Sequence, residues 1–156
     1  MIICKNKKAN FDYELSNHLI CGMQLKGYEV KALREKNCSM KGAYISFNNG
    51  GSDKLEMRVK NLNIGKYSKL PNHFDHFPEQ SRKILAKKSE IEKFFSKGDQ
   101  PGYTVVPTAI LTKGRYIKIE IALGKGKKKF DKRNAIKERD TNRNLAKNLK
   151  KLINGG

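Results

Sequence analysis

The chain has 156 residues, 34 of them Lys or Arg and 15 Asp or Glu, for a formal net charge of +19. That length suits one compact domain, and 37% hydrophobic content builds one core rather than two. No apolar run approaches the roughly 20 residues of a transmembrane helix.

At the N-terminus, Met1-Ile2-Ile3-Cys4 runs straight into Lys5, Lys7 and Lys8. No apolar stretch follows, so the start reads as mature and cytosolic. Phe11, Tyr13 and Leu15 alternate with polar residues as a half-buried strand does, and a second apolar run covers Leu19 to Leu25. Gly27 then opens a helical pattern, with Val30 and Leu33 three apart. Glu29 near its start, and Arg34 and Lys36 near its end, match the helix dipole. The spacing predicts a helix near 28–36. Ala43, Ile45 and Phe47 alternate again, Asn48-Asn49-Gly50-Gly51 marks a turn, and Leu55, Met57 and Val59 form the returning strand. Leu62 and Ile64 extend the sheet.

From Gly65 to Pro78 the chain is polar, with two prolines and no period, which reads as a loop. Helical spacing resumes at Ile84-Leu85 and runs through Ile91, Phe94 and Phe95. Ser89 and Glu92 have capping-box spacing, so two short helices are predicted, near 81–87 and 90–97, with Gly98 stopping the second. Tyr103 to Leu111 is β-rich, and Pro107 marks an edge or a bulge. Lys113-Gly114 turns the chain. Ile117, Ile119, Ile121 and Leu123 then share one face, opposite Tyr116, Lys118 and Glu120. Six short antiparallel strands with inserted helices predict a mainly β fold, a small closed barrel over 1–124.

At Gly124 the composition changes. Residues 125–156 carry twelve Lys or Arg against three Asp or Glu, +9, with few apolar side chains. Such a segment buries too little to offset its ordering entropy. It reads as a basic tail, disordered or helical according to whether a binding surface neutralises it.

The charge points to a polyanion. A membrane surface calls for an amphipathic helix with aromatic and aliphatic residues opposite its lysines; this chain has no Trp, and its basic stretches lack such a stripe. Nucleic acid is the better match. Gly124-Lys125-Gly126-Lys127-Lys128-Lys129 is glycine-rich among lysines, which lets backbone N–H groups approach phosphates. It fails the Walker pattern because no Ser or Thr follows at the needed spacing, and a hinge before the tail reads the same residues equally well. Cys4, Cys21 and Cys38 have no zinc or disulfide spacing and read as free thiols. His73 and His76 read as loop polar residues rather than a metal pair. No acid–base or metal-spaced constellation appears, so neither an enzymatic role nor a cofactor is expected.

Gly27-Tyr28-Glu29-Val30-Lys31-Ala32-Leu33-Arg34 resembles the G-x-E-V-K-[SA]-L-R element of the SmpB family, the SsrA-binding (tmRNA-binding) proteins of bacteria. Ala122 to Lys128, Phe130-Asp131-Lys132-Arg133 and Ile136 to Asp140 are similar to that family's barrel exit and tail. Asn6 to Ala9 with Asp12-Tyr13, and Arg82-Lys83-Ile84-Leu85, fit two further elements. The match runs in order from about residue 5 to 151.

The resemblance implies an OB-type barrel that binds the tRNA-like domain of tmRNA. It also implies a tail that enters the decoding centre and empty mRNA channel of a stalled 70S ribosome. It implies a cytoplasmic monomer, one per tmRNA, that is not an enzyme. On that basis the tmRNA-binding residues are Lys7, Lys8, Glu29, Lys31, Arg34, Lys118, Lys125, Gly126, Lys127 and Lys128. The decoding-centre residues are Phe130, Asp131, Lys132, Arg133, Lys137 and Arg139. Phe130 stands where the family has His or Tyr, which keeps a stacking face and loses a polar edge. Phe77-Pro78-Glu79-Gln80 departs from the family's D-P-T-R, so no arginine contact is carried to that loop; Lys129 and Asn134 also differ. The alternative is a general OB-fold RNA-binding or ribosome-associated translation factor.

Overall fold

The computed structural model describes residues 1–49 and 54–127. Seven strands form one antiparallel sheet in the order β1, β8, β9, β2, β7, β5, β4, and β3 pairs with β6 apart from it. The strands are β1 (Ile2–Lys5), β2 (Tyr13–Met23), β3 (Cys38–Ser39), β4 (Tyr44–Asn49), β5 (Leu55–Lys60), β6 (Asn63–Ile64), β7 (Arg82–Leu85), β8 (Tyr103–Lys113) and β9 (Tyr116–Gly126). The helices are α1 (Lys7–Asp12), α2 (Gly27–Arg34) and α3 (Lys88–Gly98). The mainly β, antiparallel expectation holds. The strand count exceeds the six expected: β1 and the two-residue β3 show no alternation, β7 lies where a helix is expected, and Ile64 belongs to β6, which pairs with β3 rather than extending the main sheet. The sheet curls so that β4 packs against β8, although no ladder joins them among the described residues.

The β8–β9 hairpin is the spine. Its register runs from Tyr103 opposite Lys125 to Lys113 opposite Tyr116. Ile117, Ile119, Ile121 and Leu123 point into the core, as their alternation predicts, against Val105, Ile110 and Cys21. Pro107 sits at a bulge between Pro107 and Ala109, not at an edge, since β8 lies between β1 and β9. A bulge leaves one residue outside the ladder and tolerates a missing N–H. Asn6 fills the gap: its Nδ2 donates to Pro107 O at 2.7 Å and its backbone N to Thr108 O at 2.8 Å.

Three local expectations are corrected. Phe11 belongs to α1 rather than to a strand. Asn6 caps that helix by accepting from Ala9 N at 3.1 Å, and the strand starts at Tyr13. Residues 82–85 of the expected 81–87 helix are strand β7. Arg82 and Ile84 are buried while Leu85 is exposed, a period of two, and the strand bridges Gly22 and Met23 on one side to Arg58 and Val59 on the other. Those distant partners outweigh a local helical pattern too short to nucleate. The third helix is α3, and its capping contact is Lys87 N to Glu90 Oε1 at 3.2 Å, not Ser89 with Glu92; Glu92 instead faces Lys88 at 4.0 Å. Gly50-Gly51, the expected turn glycines, lie outside the described residues, but the β4–β5 register closes toward them with Asn49 opposite Leu55.

Gly124 and Gly126 are not a hinge; both belong to β9, paired with Leu15 and Tyr13. A Cβ at Gly124 would press on Tyr13 Cβ at 3.1 Å, so glycine here permits close strand packing. The tail from Lys128 onward, with Phe130, Asp131, Lys132, Arg133, Lys137 and Arg139, lies outside the described residues.

Candidate RNA interface

Helix α2 turns Ala32 and Leu33 into the core and leaves Lys31 and Arg34 exposed. Lys31 Nζ stands 5.4 Å from the centre of the Tyr67 ring, a cation–π contact that holds the ammonium over the 65–78 loop. Arg34 Nη2 donates to Arg115 O at 2.7 Å, which ties the end of α2 to the β8–β9 turn. The helix and the loop are joined further on. Ser68 donates from N and Oγ to Glu35 at 3.2 and 2.7 Å. These bonds, with Lys69 nearby, hold the Glu35 carboxyl below its ordinary pKa. Asn37 Nδ2 donates to Lys66 O at 3.0 Å, and Gly65 N to Asn37 O at 2.8 Å. A Cβ at Gly65 would run into the Asn37 amide. The result is a cationic surface of Lys31, Arg34, Lys66, Lys69 and Arg115 on braced supports.

Lys118 lies on the outer face of β9, near that surface. Its register neighbours are Leu111 and Gly22, flanked in turn by Ile2 and Leu85. Gly22 contributes no side chain, so the lysine is open on that side. Tyr116, 65% exposed, has Lys118 Nζ 5.9 Å from its ring centre. An exposed ring beside a cation on an apolar sheet face is suited to a base stacked next to its phosphate.

Lys7, Lys8, Lys125, Gly126 and Lys127 gather at the other end of the hairpin. Tyr13 pairs with Gly126, Lys127 N donates to Asp12 O at 3.0 Å, and Lys127 Nζ donates to Asn10 O at 3.1 Å. Lys125 Nζ is 5.9 Å from the Tyr103 ring centre. Lys7 and Lys8 are exposed on α1. The two ends of an eleven-residue strand are about 30–35 Å apart, so the basic groups form two patches rather than one.

Glu29 is the exception among the expected residues. It is 1% exposed, and both its oxygens have partners inside the protein: Oε1 accepts from Lys26 N at 3.0 Å, and Oε2 accepts from Arg82 Nε. Neither oxygen is presented to solvent in this structure. The expected RNA acceptor is thus a buried carboxylate bonded to Lys26 and Arg82.

A family model described as "SmpB protein" matches residues 3–151. The chain belongs to the SmpB family. An SsrA-binding protein of Acholeplasma laidlawii is 40% identical over 149 residues, 96% of each chain, and one of Cytophaga hutchinsonii is 42% identical over 142 residues, 90% of this chain and 89% of its own. A solved chain described as "tmRNA-SmpB: a journey to the center of the bacterial ribosome" aligns with a TM-score of 0.65 at 34% identity, covering 81% of this chain and 85% of its own.

Within this SmpB family member, Arg82, Tyr67, Arg115 and Tyr116 were not singled out as site residues by the sequence. Arg82 stands in the R-K-I-L element that carries the resemblance, but nothing local marks it as Glu29's partner. His76 Nε2 donates to Ile64 O at 2.9 Å and its ring meets Tyr28 edge-on at 5.8 Å. His73 packs on Phe74. Among the described residues, no group of three or more His, Cys, Asp or Glu is placed to hold a metal ion, and no helix is long and apolar enough to cross a membrane. All three cysteines are free thiols. Burial pushes Cys21 up to about 11; burial and the neighbouring Cys4 push Cys38 up to about 12.

Proposed function

We propose that this chain is the RNA-binding adaptor of trans-translation. Its sheet domain holds the tRNA-like domain of tmRNA, and its basic tail occupies the vacant decoding centre of a stalled ribosome. The observation that carries the reading is the family match, which spans both the sheet domain and the tail within residues 3–151, together with relatives named SsrA-binding proteins that align over almost their whole length.

The residues support a division of labour. The patch of Lys31, Arg34 and Lys118 offers cations and an exposed ring to a folded RNA. Lys7, Lys8, Lys125, Gly126 and Lys127 offer a second contact region where the tail departs, with Lys128 next in line. In the tail, Phe130 stacks on a ribosomal base, while Lys132, Arg133, Lys137 and Arg139 engage phosphates, with Asp131 between the ring and the first of these cations. The protein binds rather than catalyses, and it works in the cytoplasm, where its partners are.

The test is recovery of the tagged protein from cells with its cross-linked RNA, followed by sequencing. Enrichment of tmRNA over tRNA and ribosomal RNA fragments is expected. Equal recovery of all three favours a general RNA-binding translation factor.

A further inference from the structure

We propose that Arg82 is a positioning residue for RNA recognition, fixing the rotation of α2 through Glu29; this rests on the proposed RNA-binding role. Arg82 is 3% exposed and all its described bonds run inward. Nε donates to Glu29 Oε2, Nη1 to Leu62 O at 2.7 Å and Nη2 to Pro78 O at 2.9 Å. One guanidinium therefore joins the first turn of α2, the chain between β5 and β6, and the end of the long loop. Glu29 completes the link by capping its own helix through Lys26 N.

The helical geometry says what this link controls. At about 100° per residue, Lys31 and Arg34 lie about 200° and 140° round the helix from Glu29. The buried carboxylate thus sits behind the two cations and sets which way they face. A rigid planar fork suits the task better than a flexible ammonium, because three acceptors on three segments are met at fixed angles.

A direct RNA contact by Glu29 and this positioning role predict different salt dependence. Each phosphate neutralised contributes about 0.7–0.9 to the slope of log affinity against log salt. If α2 turns out of register, Lys31 and Arg34 no longer reach their phosphates although neither residue is changed. We expect Glu29→Gln, Arg82→Lys and Arg82→Met each to weaken binding of a labelled transcript of the tRNA-like domain and to lower the salt slope by about 0.7–1.8. We expect the Glu29→Gln/Arg82→Met double variant to be no worse than the more damaging single one, since both sever one link.

A variant that only lowers the folded fraction reduces the binding amplitude and leaves the slope unchanged. A wild-type slope in Glu29→Gln, or full affinity in Arg82→Lys, overturns the proposal. Should Arg82→Met not fold, Glu29→Gln and Arg82→Lys still decide it through the slope and through hydrogen exchange in the free protein. Faster exchange at residues 31–34 with β9 unchanged is expected, and unchanged exchange in α2 overturns it. If the wild-type chain shows no preference for the tRNA-like domain over an unrelated duplex, the proposed function fails, while the exchange comparison still reports on the link.

Discussion

Replacing Asn6 tests whether one side chain holds the β8 bulge and α1 together. Asn6 is 7% exposed, and its side chain makes two bonds of different kinds. Its Oδ1 caps α1 by accepting from Ala9 N, and its Nδ2 donates to the carbonyl of the fully buried Pro107. Loss of an N-cap costs about 1 kcal/mol, and a buried carbonyl left without a donor costs about 1–3 kcal/mol. Asn6→Ala is therefore expected to destabilise by about 2–4 kcal/mol, a large part of the 5–15 kcal/mol typical of a domain. At about 2–4 °C per kcal/mol for a chain of this size, Tm falls by about 4–16 °C. Asn6→Asp separates the two bonds. As a helix cap Asp equals Asn, but here its second oxygen faces Pro107 O with no proton between them, and a charge is buried. The aspartate is expected to be at least as damaging as alanine. Urea unfolding followed by far-UV circular dichroism measures both, because the chain has no Trp to report by fluorescence. An aspartate variant within about 0.5 kcal/mol of wild type refutes the Pro107 link and leaves Asn6 as a helix cap alone.

Charge reversal at Lys31 or Lys118 is expected to weaken binding of the isolated tRNA-like domain and to lower the salt slope by about 0.7–0.9 for each phosphate no longer neutralised, read by titration at several salt concentrations; unchanged affinity at low salt makes these lysines solubilising charges. Deleting residues 130–156 is expected to leave the sheet domain folded and able to retain tmRNA on a filter, since that segment is too poor in apolar residues to support a core. Peptide tagging on a truncated message is expected to disappear, and normal tagging by the shortened chain refutes the decoding-centre role. Cys21 and Cys38, with thiols raised to about 11 and 12, are expected to react slowly with a disulfide reagent at pH 8, when little thiolate is present. Fast reaction of either in the folded protein refutes the burial argument.

The strongest periodic signals in the sequence became the structure's central elements. The Ile117, Ile119, Ile121 and Leu123 alternation is the inner face of β9, and the Gly27 start with outward Lys31 and Arg34 is α2. The loop from Gly65 to Pro78 and the basic composition after Gly124 were equally plain. Each of these is written in residues that are near neighbours along the chain, where side-chain period and turn chemistry act directly. The family motifs added the functional reading because they occur in order along the whole chain.

Tertiary structure decided the rest. Arg82-Lys83-Ile84-Leu85 fits a helix or a strand locally; it is a strand because β2 and β5 supply the hydrogen bonds on either side. Pro107 signalled an edge or a bulge, and the position of β1 beyond β8 made it a bulge. Glu29 read as a helix-start charge and, by resemblance, as an RNA acceptor. Its partner is 53 residues away, a distance over which no periodicity carries information. Once the core closes over that carboxylate it must be matched by a buried cation and hydrogen bonds, since an unpaired charge is too costly to bury. Local sequence therefore determined which cations face outward on α2, and only the fold placed Arg82 behind them.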